Sequence, residues 1–285
     1  MLKRIDRIQI TARDAEAVAA RWTEVVDAVV TGRDSVPALA ARRVVIQAGA
    51  SELEILQPTG EGPVADHLTS GRGGVFAAGV ATGDLDALAA SLGRNGVEPL
   101  RLEGQLFLPG SALGIPGLDM LVSPHVERAP VGLLAEFYEV THLTADAAHA
   151  SAAIARLFAL DARFFVAIRS ETYGYDGALT LFRPDALHRI ETIHPYERGK
   201  TMARYFDRFG PSLYMCYAET DDLPRVRERL VRVAPQGWTG SVTNDDGLFI
   251  HPKTLGGVMV GVSRRSFAWT WSGHPDRVTN VSGVR

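Results

Sequence analysis

The chain repeats itself at a distance of almost half its length. A β-rich run ends in Glu54-Ile55-Leu56-Gln57-Pro58 and is followed, past a glycine-rich break, by Gly83-Asp84-Leu85-Asp86. Far downstream, Glu191-Thr192-Ile193-His194-Pro195 leads in the same way to Asp221-Asp222-Leu223. Both pairs of marks are offset by roughly 137 residues, which is the size of a domain and too long for the unit of a solenoid. Whatever the fold is, it is built twice.

Each copy is patterned alike. Ile5 to Ala12 alternates as a strand with one buried face does, and Asp14 stands where a helix N-cap belongs. Ala15 to Val30 places Val18, Trp22, Val25 and Val26 on one helical stripe, and strands follow over Arg42–Gln47 and Glu52–Leu56. Gly71 to Gly74 forms a joint, Val75–Ala81 a strand, Leu85–Leu92 a helix closed by Gly93, and strands surround Leu106 and Met120. The second copy runs through strands or helices at Phe137–Thr144, Ala147–Leu160, Ala178–Phe182, Arg189–Ile193, Leu213–Thr220, Leu223–Val233, Leu248–Ile250 and Gly257–Val262. Pro124 to Gly132, with two prolines and no apolar period, is the linker. In the tail, Trp269 and Trp271 are two apart, which puts both indoles on one face of an extended segment packed back onto a sheet.

Composition narrows the partners. A formal charge of -3 supplies no basic field for a polynucleotide. No apolar stretch approaches the ~20 residues of a membrane span, and the charged start Lys3-Arg4-Ile5-Asp6-Arg7 lacks a leader's apolar region. A cytoplasmic protein is expected, and the single cysteine, Cys216, lies in an apolar strand as core packing. Gly71-Arg72-Gly73-Gly74 lacks the residues of a phosphate loop.

The run Ser212-Leu213-Tyr214-Met215-Cys216-Tyr217-Ala218-Glu219-Thr220-Asp221-Asp222-Leu223 is similar to a strand that opens with paired histidines in methylmalonyl-CoA epimerase. Phe249-Ile250-His251-Pro252-Lys253, followed by Gly257-Val258-Met259-Val260-Gly261-Val262, resembles that family's closing hairpin. The chain thus resembles, over nearly its whole length, the vicinal oxygen chelate superfamily. That group includes glyoxalase I, the epimerase, bleomycin-resistance proteins and extradiol ring-cleaving dioxygenases. The resemblance implies an α+β fold of four βαβββ modules, paired into two glyoxalase-like half-barrel cups. The first cup, in residues 1–126, is expected to be structural, and the second, in residues 133–285, to be active.

Metal-dependent members of that group hold a divalent cation with ligands from the first and last strands of paired modules. The corresponding positions in the first half are Arg7, Glu54, Ala77 and Met120, which hold no cation. In the second half Met215 stands for a histidine and Gly261 for a glutamate, while Glu191 survives. The first-strand position is Glu139 in one register and His142 in another, and residues three apart on a strand face opposite ways, so one alone lines the cup. No metal is favoured, and the cofactor is unknown. Were a divalent metal held, His142 and Glu191 would be its ligands, completed by Tyr214, His251 or a substrate oxygen.

Without a metal, two buried carboxylates such as Glu139 and Glu191 share a proton near neutral pH. That suits removal of a proton next to a carbonyl, with an electrophile from Tyr214, His251, Lys253 or Arg204. Tyr173-Gly174-Tyr175 offers two phenols to a pocket, with Met215 and Trp269 as further substrate-binding residues. The expected function is therefore proton transfer by an epimerase, isomerase or lyase, with Glu191, Glu139, His142, Tyr214 and His251 as its catalytic set. A metal-dependent ring-cleaving enzyme and a non-catalytic, drug-sequestering binding protein are the alternatives. The partner is a small molecule, with a homodimer left open.

Overall fold

The computed structural model describes residues 2–279 apart from 73, 103 and 241–245. The first half contains β1 (Leu2–Thr11), α1 (Ala15–Val26), β2 (Val29–Val36), β3 (Ala41–Ala48), β4 (Ser51–Pro58), α2 (Pro63–Thr69), β5 (Val75–Thr82), α3 (Leu85–Arg94), β6 (Leu100–Leu102), β7 (Gln105–Leu108), α4 (Gly110–Leu113) and β8 (Met120–Pro124). The second contains β9 (Glu136–Leu143), α5 (Ala147–Phe158), β10 (Val166–Ser170), β11 (Tyr175–Leu181), β12 (Arg189–Pro195), α6 (Thr201–Phe209), β13 (Ser212–Thr220), α7 (Leu223–Val233), β14 (Trp238–Gly240), β15 (Gly247–Ile250) and β16 (Met259–Arg264). The strand order β2-β3-β4-β1-β5-β8-β7-β6 of the first sheet recurs as β10-β11-β12-β9-β13-β16-β15-β14 in the second. Each sheet joins two βαβββ modules through a central antiparallel pair, β1 with β5 and β9 with β13.

The four module helices begin the same way. Asp14, Asp84, Asp146 and Asp222 are N-caps whose carboxylates accept from the amides of Ala17, Ala87, His149 and Arg225. Each such cap is worth about 1 kcal/mol. The first helix stops at Val26, short of the expected Val30, because Asp27 takes a left-handed conformation and Val29 opens β2.

Strand parity separates two faces. Ile8, Ile10, Val140 and Ile190 turn to the helix-covered side, where one apolar cluster runs through both halves. Trp22 of α1 joins them: it is fully buried, meets Phe137 of β9 edge-on at 6.2 Å, and its indole N–H donates to the Leu255 carbonyl at 3.2 Å. Cys216 lies in this core, where burial pushes its thiol pKa up, away from a nucleophile's range. The other faces of the sheets form the two cups. Met120 belongs to the core rather than to the first cup, because its neighbour Leu121 occupies the register position of Gly261.

The tail departs from the expected extended segment. Phe267–Trp271 is a 3-10 turn, entered through a left-handed Ser266 and held by the Ser272 hydroxyl on the Ala268 carbonyl at 2.5 Å. Its winding separates the indoles, so Trp269 is buried and Trp271 exposed. Among the described residues no helix is long and apolar enough to cross a membrane.

Candidate active site

The second cup is organised by two parallel neighbours, β9 and β12. Their register sets Glu139 opposite Arg189 and Thr141 opposite Glu191. A bulge in β9 makes this possible: Phe137 pairs with Ala218 and Glu139 with Tyr217, leaving Tyr138 as an extra residue. Phe137 and Val140, three apart, thereby both reach the core, and Glu139 is aimed into the cup.

The buried Arg189 donates from Nε to Oε2 of Glu139 at 2.5 Å and from Nη1 to the Leu187 carbonyl at 3.1 Å. Its guanidinium stands 5.0 Å from the Tyr138 ring centroid, and its Nη2 has no hydrogen-bond partner among the described residues. Thr141 donates to Oε2 of Glu191 at 2.5 Å. Burial and then the adjacent Glu139 charge push the Glu191 pKa up to about 8. Burial raises Glu139 as well, with the Arg189 charge opposing it. Two hydrogen-bonded carboxylates out of water cannot both ionise cheaply, so they hold one proton between them. Arg189 favours the charge on Glu139, which leaves the proton on Glu191.

Glu191 alone of the pair opens onto a cavity of about 250 Å³. The walls are apolar and aromatic: Ile193, Met202, Met215, Met259 and Phe249, with Tyr173, Tyr175, Tyr214 and Tyr217. Thr141, Thr201 and Thr239 are the other polar lining groups. Tyr173 and Tyr175 are brought together by Gly174, whose φ of 71° and close contact with the Lys200 and Glu197 side chains admit no Cβ. Burial, and then the Glu191 charge it hydrogen-bonds to, raise the Tyr175 pKa and keep its phenol protonated.

Of the residues singled out from sequence, Glu191, Tyr173, Tyr175, Tyr214 and Met215 line this cavity, and Glu139 sits behind Glu191. His142 does not join them. Strand parity turns it to the helix-covered side, where Nε2 meets the Pro116 carbonyl at 2.9 Å and burial lowers its pKa to about 4. His251 stands outside the wall, 3.2 Å from the Thr239 hydroxyl. Lys253 is exposed, and Arg204 bonds the Gly199 carbonyl and the Thr201 hydroxyl on the surface. Trp269 packs on Leu179 and Leu181 below the Arg277 guanidinium and is no part of the Glu191 cavity. Arg189, Thr141 and Tyr217 were missed, because their roles depend on pairing between distant strands.

The donor set does not fit a divalent cation. Among the described residues no three of His, Cys, Asp and Glu converge. Glu139 is engaged by a guanidinium, and Tyr217 covers Gly261, where a Cβ would stand 2.3 Å from the ring.

The first cup shows what a change of sign does. Its register sets Arg7 opposite Glu52 and Gln9 opposite Glu54, the places of Glu139, Arg189, Thr141 and Glu191. The ion pair is thus present with its ends exchanged, Arg7 to Glu52 at 2.8 Å. Glu54 receives Arg7 at 2.6 Å, Arg43 at 3.1 Å, and the Gln9 and Gln105 amides each at 2.8 Å. Burial would raise its pKa, but the Arg7 and Arg43 charges hold it below the usual carboxylate range. Both carboxylates border a cavity, but Glu54 does so as an anion held among guanidiniums and amides, and Glu191 as a protonated acid among apolar and aromatic side chains.

No family model matches the sequence, and no curated protein matches it. Among solved structures, a mutant 4-hydroxymandelate synthase from Streptomyces coelicolor aligns over 93% of this chain and 94% of its own, with TM-score 0.66 and 11% identity. Methylmalonyl-CoA epimerase in complex with methylmalonyl-CoA and NH4+ aligns over 45% of this chain and 99% of its own, with TM-score 0.39 and 24% identity. The epimerase from Mycobacterium tuberculosis covers 46% of this chain and 89% of its own, with TM-score 0.38 and 21% identity. The synthase likeness spans nearly all of both chains and is a likeness of fold. In fold, with two eight-stranded cups built from paired modules, this chain is similar to that synthase over nearly its whole length.

Proposed function

We propose that the second cup is an enzyme site for proton transfer next to a carbonyl, in an epimerisation, isomerisation or elimination, and that Glu191 takes and returns the proton. The observation that carries this reading is a buried pair of carboxylates of which only Glu191 opens to an apolar cavity. A base works best with a pKa near the working pH, and about 8 for Glu191 meets that condition where an ordinary carboxylate does not. Once ionised, Glu191 accepts the proton α to the carbonyl. The neutral phenol of Tyr175, released from Glu191, is a donor on the cavity wall for the enolate oxygen. Thr141 holds the Glu191 carboxyl in place, and methionines and aromatic rings surround it.

The aromatic wall would serve a binding protein equally well, but the paired acids would not. Burying two carboxylates and an arginine costs stability that a purely apolar cup avoids. The test is deuterium incorporation at the α-carbon of aryl ketones in D2O, followed by NMR. The expected result is an enzyme-dependent rate that rises with pH and levels off above about 8, lost in Glu191→Gln. Exchange by Glu191→Gln at the wild-type rate overturns the assignment.

A further inference from the structure

The concave face of the second cup continues past the Glu191 cavity. A second hollow of about 270 Å³ lies beside it, walled by Leu248, Val262, Phe267 and Trp271, and Tyr217 and Phe249 line both. The Tyr217 ring is the partition. Its place depends on Gly261, its partner across β13 and β16: a Cβ there would lie 2.3 Å from Cδ1 and 2.4 Å from Cε1 of the ring. The bare glycine lets the ring lie down on the sheet, wedged between Phe249 and Tyr138, each with its centroid 6.1 Å away.

Two features then define what fits on the Glu191 side. At about 250 Å³ the cavity falls below the ~300–1,000 Å³ of pockets that take drug-sized ligands. Among the described residues no Lys, Arg or His lines it, so a carboxylate or phosphate on the ligand would be buried beside an acid without a counter-charge from that lining.

We infer that Tyr217, seated on Gly261, sets the specificity of the cup by closing off the second hollow, and that the ligand is an uncharged carbonyl compound about one aromatic ring across. The carbonyl rests on the proton-transfer reading, whereas the size and charge limits concern binding, so the two can fail separately.

The experiment measures binding of acetophenone, 2-acetylnaphthalene and benzoylformate by ligand-observed NMR. Wild-type protein is expected to bind acetophenone at least about tenfold more tightly than either of the others, the scale on which a pocket wall discriminates small groups. Tyr217→Ala joins the hollows and is expected to gain about tenfold for 2-acetylnaphthalene. Tyr217→Leu provides the same reading if the alanine variant does not melt cooperatively. The inference is overturned if the wild type accepts the two-ring ketone or the anion as tightly as acetophenone, if it binds no one-ring probe, or if the folded Tyr217 variant gains nothing. Size discrimination together with α-exchange unaffected by Glu191→Gln would retain the partition and remove the proton-transfer reading.

Discussion

Replacing Glu191 with glutamine should make the protein more stable, by an amount that depends on pH. The folded chain holds the Glu191 proton with a pKa of about 8, against an ordinary 4.5. Because the folded value is the higher, the folded state binds this proton more tightly than the unfolded state does. The associated stability is fully present below about pH 4.5 and is lost progressively as pH rises towards 8. At roughly 1.4 kcal/mol per pH unit the whole loss is about 5 kcal/mol, an upper bound because water entering the cavity solvates the ionised form. Glutamine does not ionise, keeps an acceptor for the Thr141 hydroxyl and can donate to Glu139. Urea titrations of both proteins between pH 5 and 9 isolate the effect, since groups away from the Glu139–Glu191 pair cancel in the difference. The variant should match the wild type near pH 5 and exceed it by about 2–5 kcal/mol at pH 9. A difference that stays flat with pH would refute the shared proton and the reading of the site built on it.

Arg189→Met should cost about 3–5 kcal/mol, because it leaves the Glu139 carboxylate buried without its counter-charge. Adding Glu139→Gln should recover much of that loss, and strictly additive urea midpoints would show that the two do not act as a pair. In the first cup, Glu54→Gln leaves Arg7 and Arg43 facing one another across a neutral amide, so a loss of about 2–4 kcal/mol is expected in the same titration. Binding of a one-ring ketone in the second cup should be unchanged by it.

The scaffold was legible because its signals are local. Four aspartates cap four helices within three residues of themselves, and period-two alternation fixes which face of a strand is buried. Parity also made Glu139 and His142 mutually exclusive, and the β9 bulge resolves the choice in favour of Glu139. The tail was misread for the opposite reason. Two tryptophans two apart suit an extended segment, but a left-handed Ser266 and the hydroxyl of Ser272 wind it into a turn, and neither serine declares that in the sequence. His251 was expected in the cup because its run resembles the family's closing hairpin, yet it is not among the residues lining the Glu191 cavity and stands 3.2 Å from the Thr239 hydroxyl. The partnership of Arg189 with Glu139 joins strands 50 residues apart. Its one trace in sequence is a comparison between halves, where Glu52 stands two residues before Glu54 and Arg189 two before Glu191.

That comparison carries the difference between the cups. Both have a carboxylate at the same place on the fourth strand of a module, and both have an ion pair at its side, Arg7 with Glu52 in one and Glu139 with Arg189 in the other. With the cation on the first strand, Glu54 is held as an anion; with the anion there, Glu191 keeps its proton. The orientation of that ion pair pushes the neighbouring acid in opposite directions in the two cups, beside burial in both and Arg43 in the first, and reversing it is a direct trial. Glu139→Arg combined with Arg189→Glu would give the second cup the arrangement of the first without changing its net charge. The Glu191 pKa should then fall by about 2 pH units or more, because a charge beside it has changed sign and opposite charges at ion-pair distance shift a carboxylate by 1–3 units. The acid limb of α-proton exchange would move down with it, and 13C NMR of the glutamate carboxyl would report the shift without a substrate. An unmoved Glu191 in the reversed protein would mean that burial alone sets its pKa and that the exchanged ion pair is incidental to the chemistry.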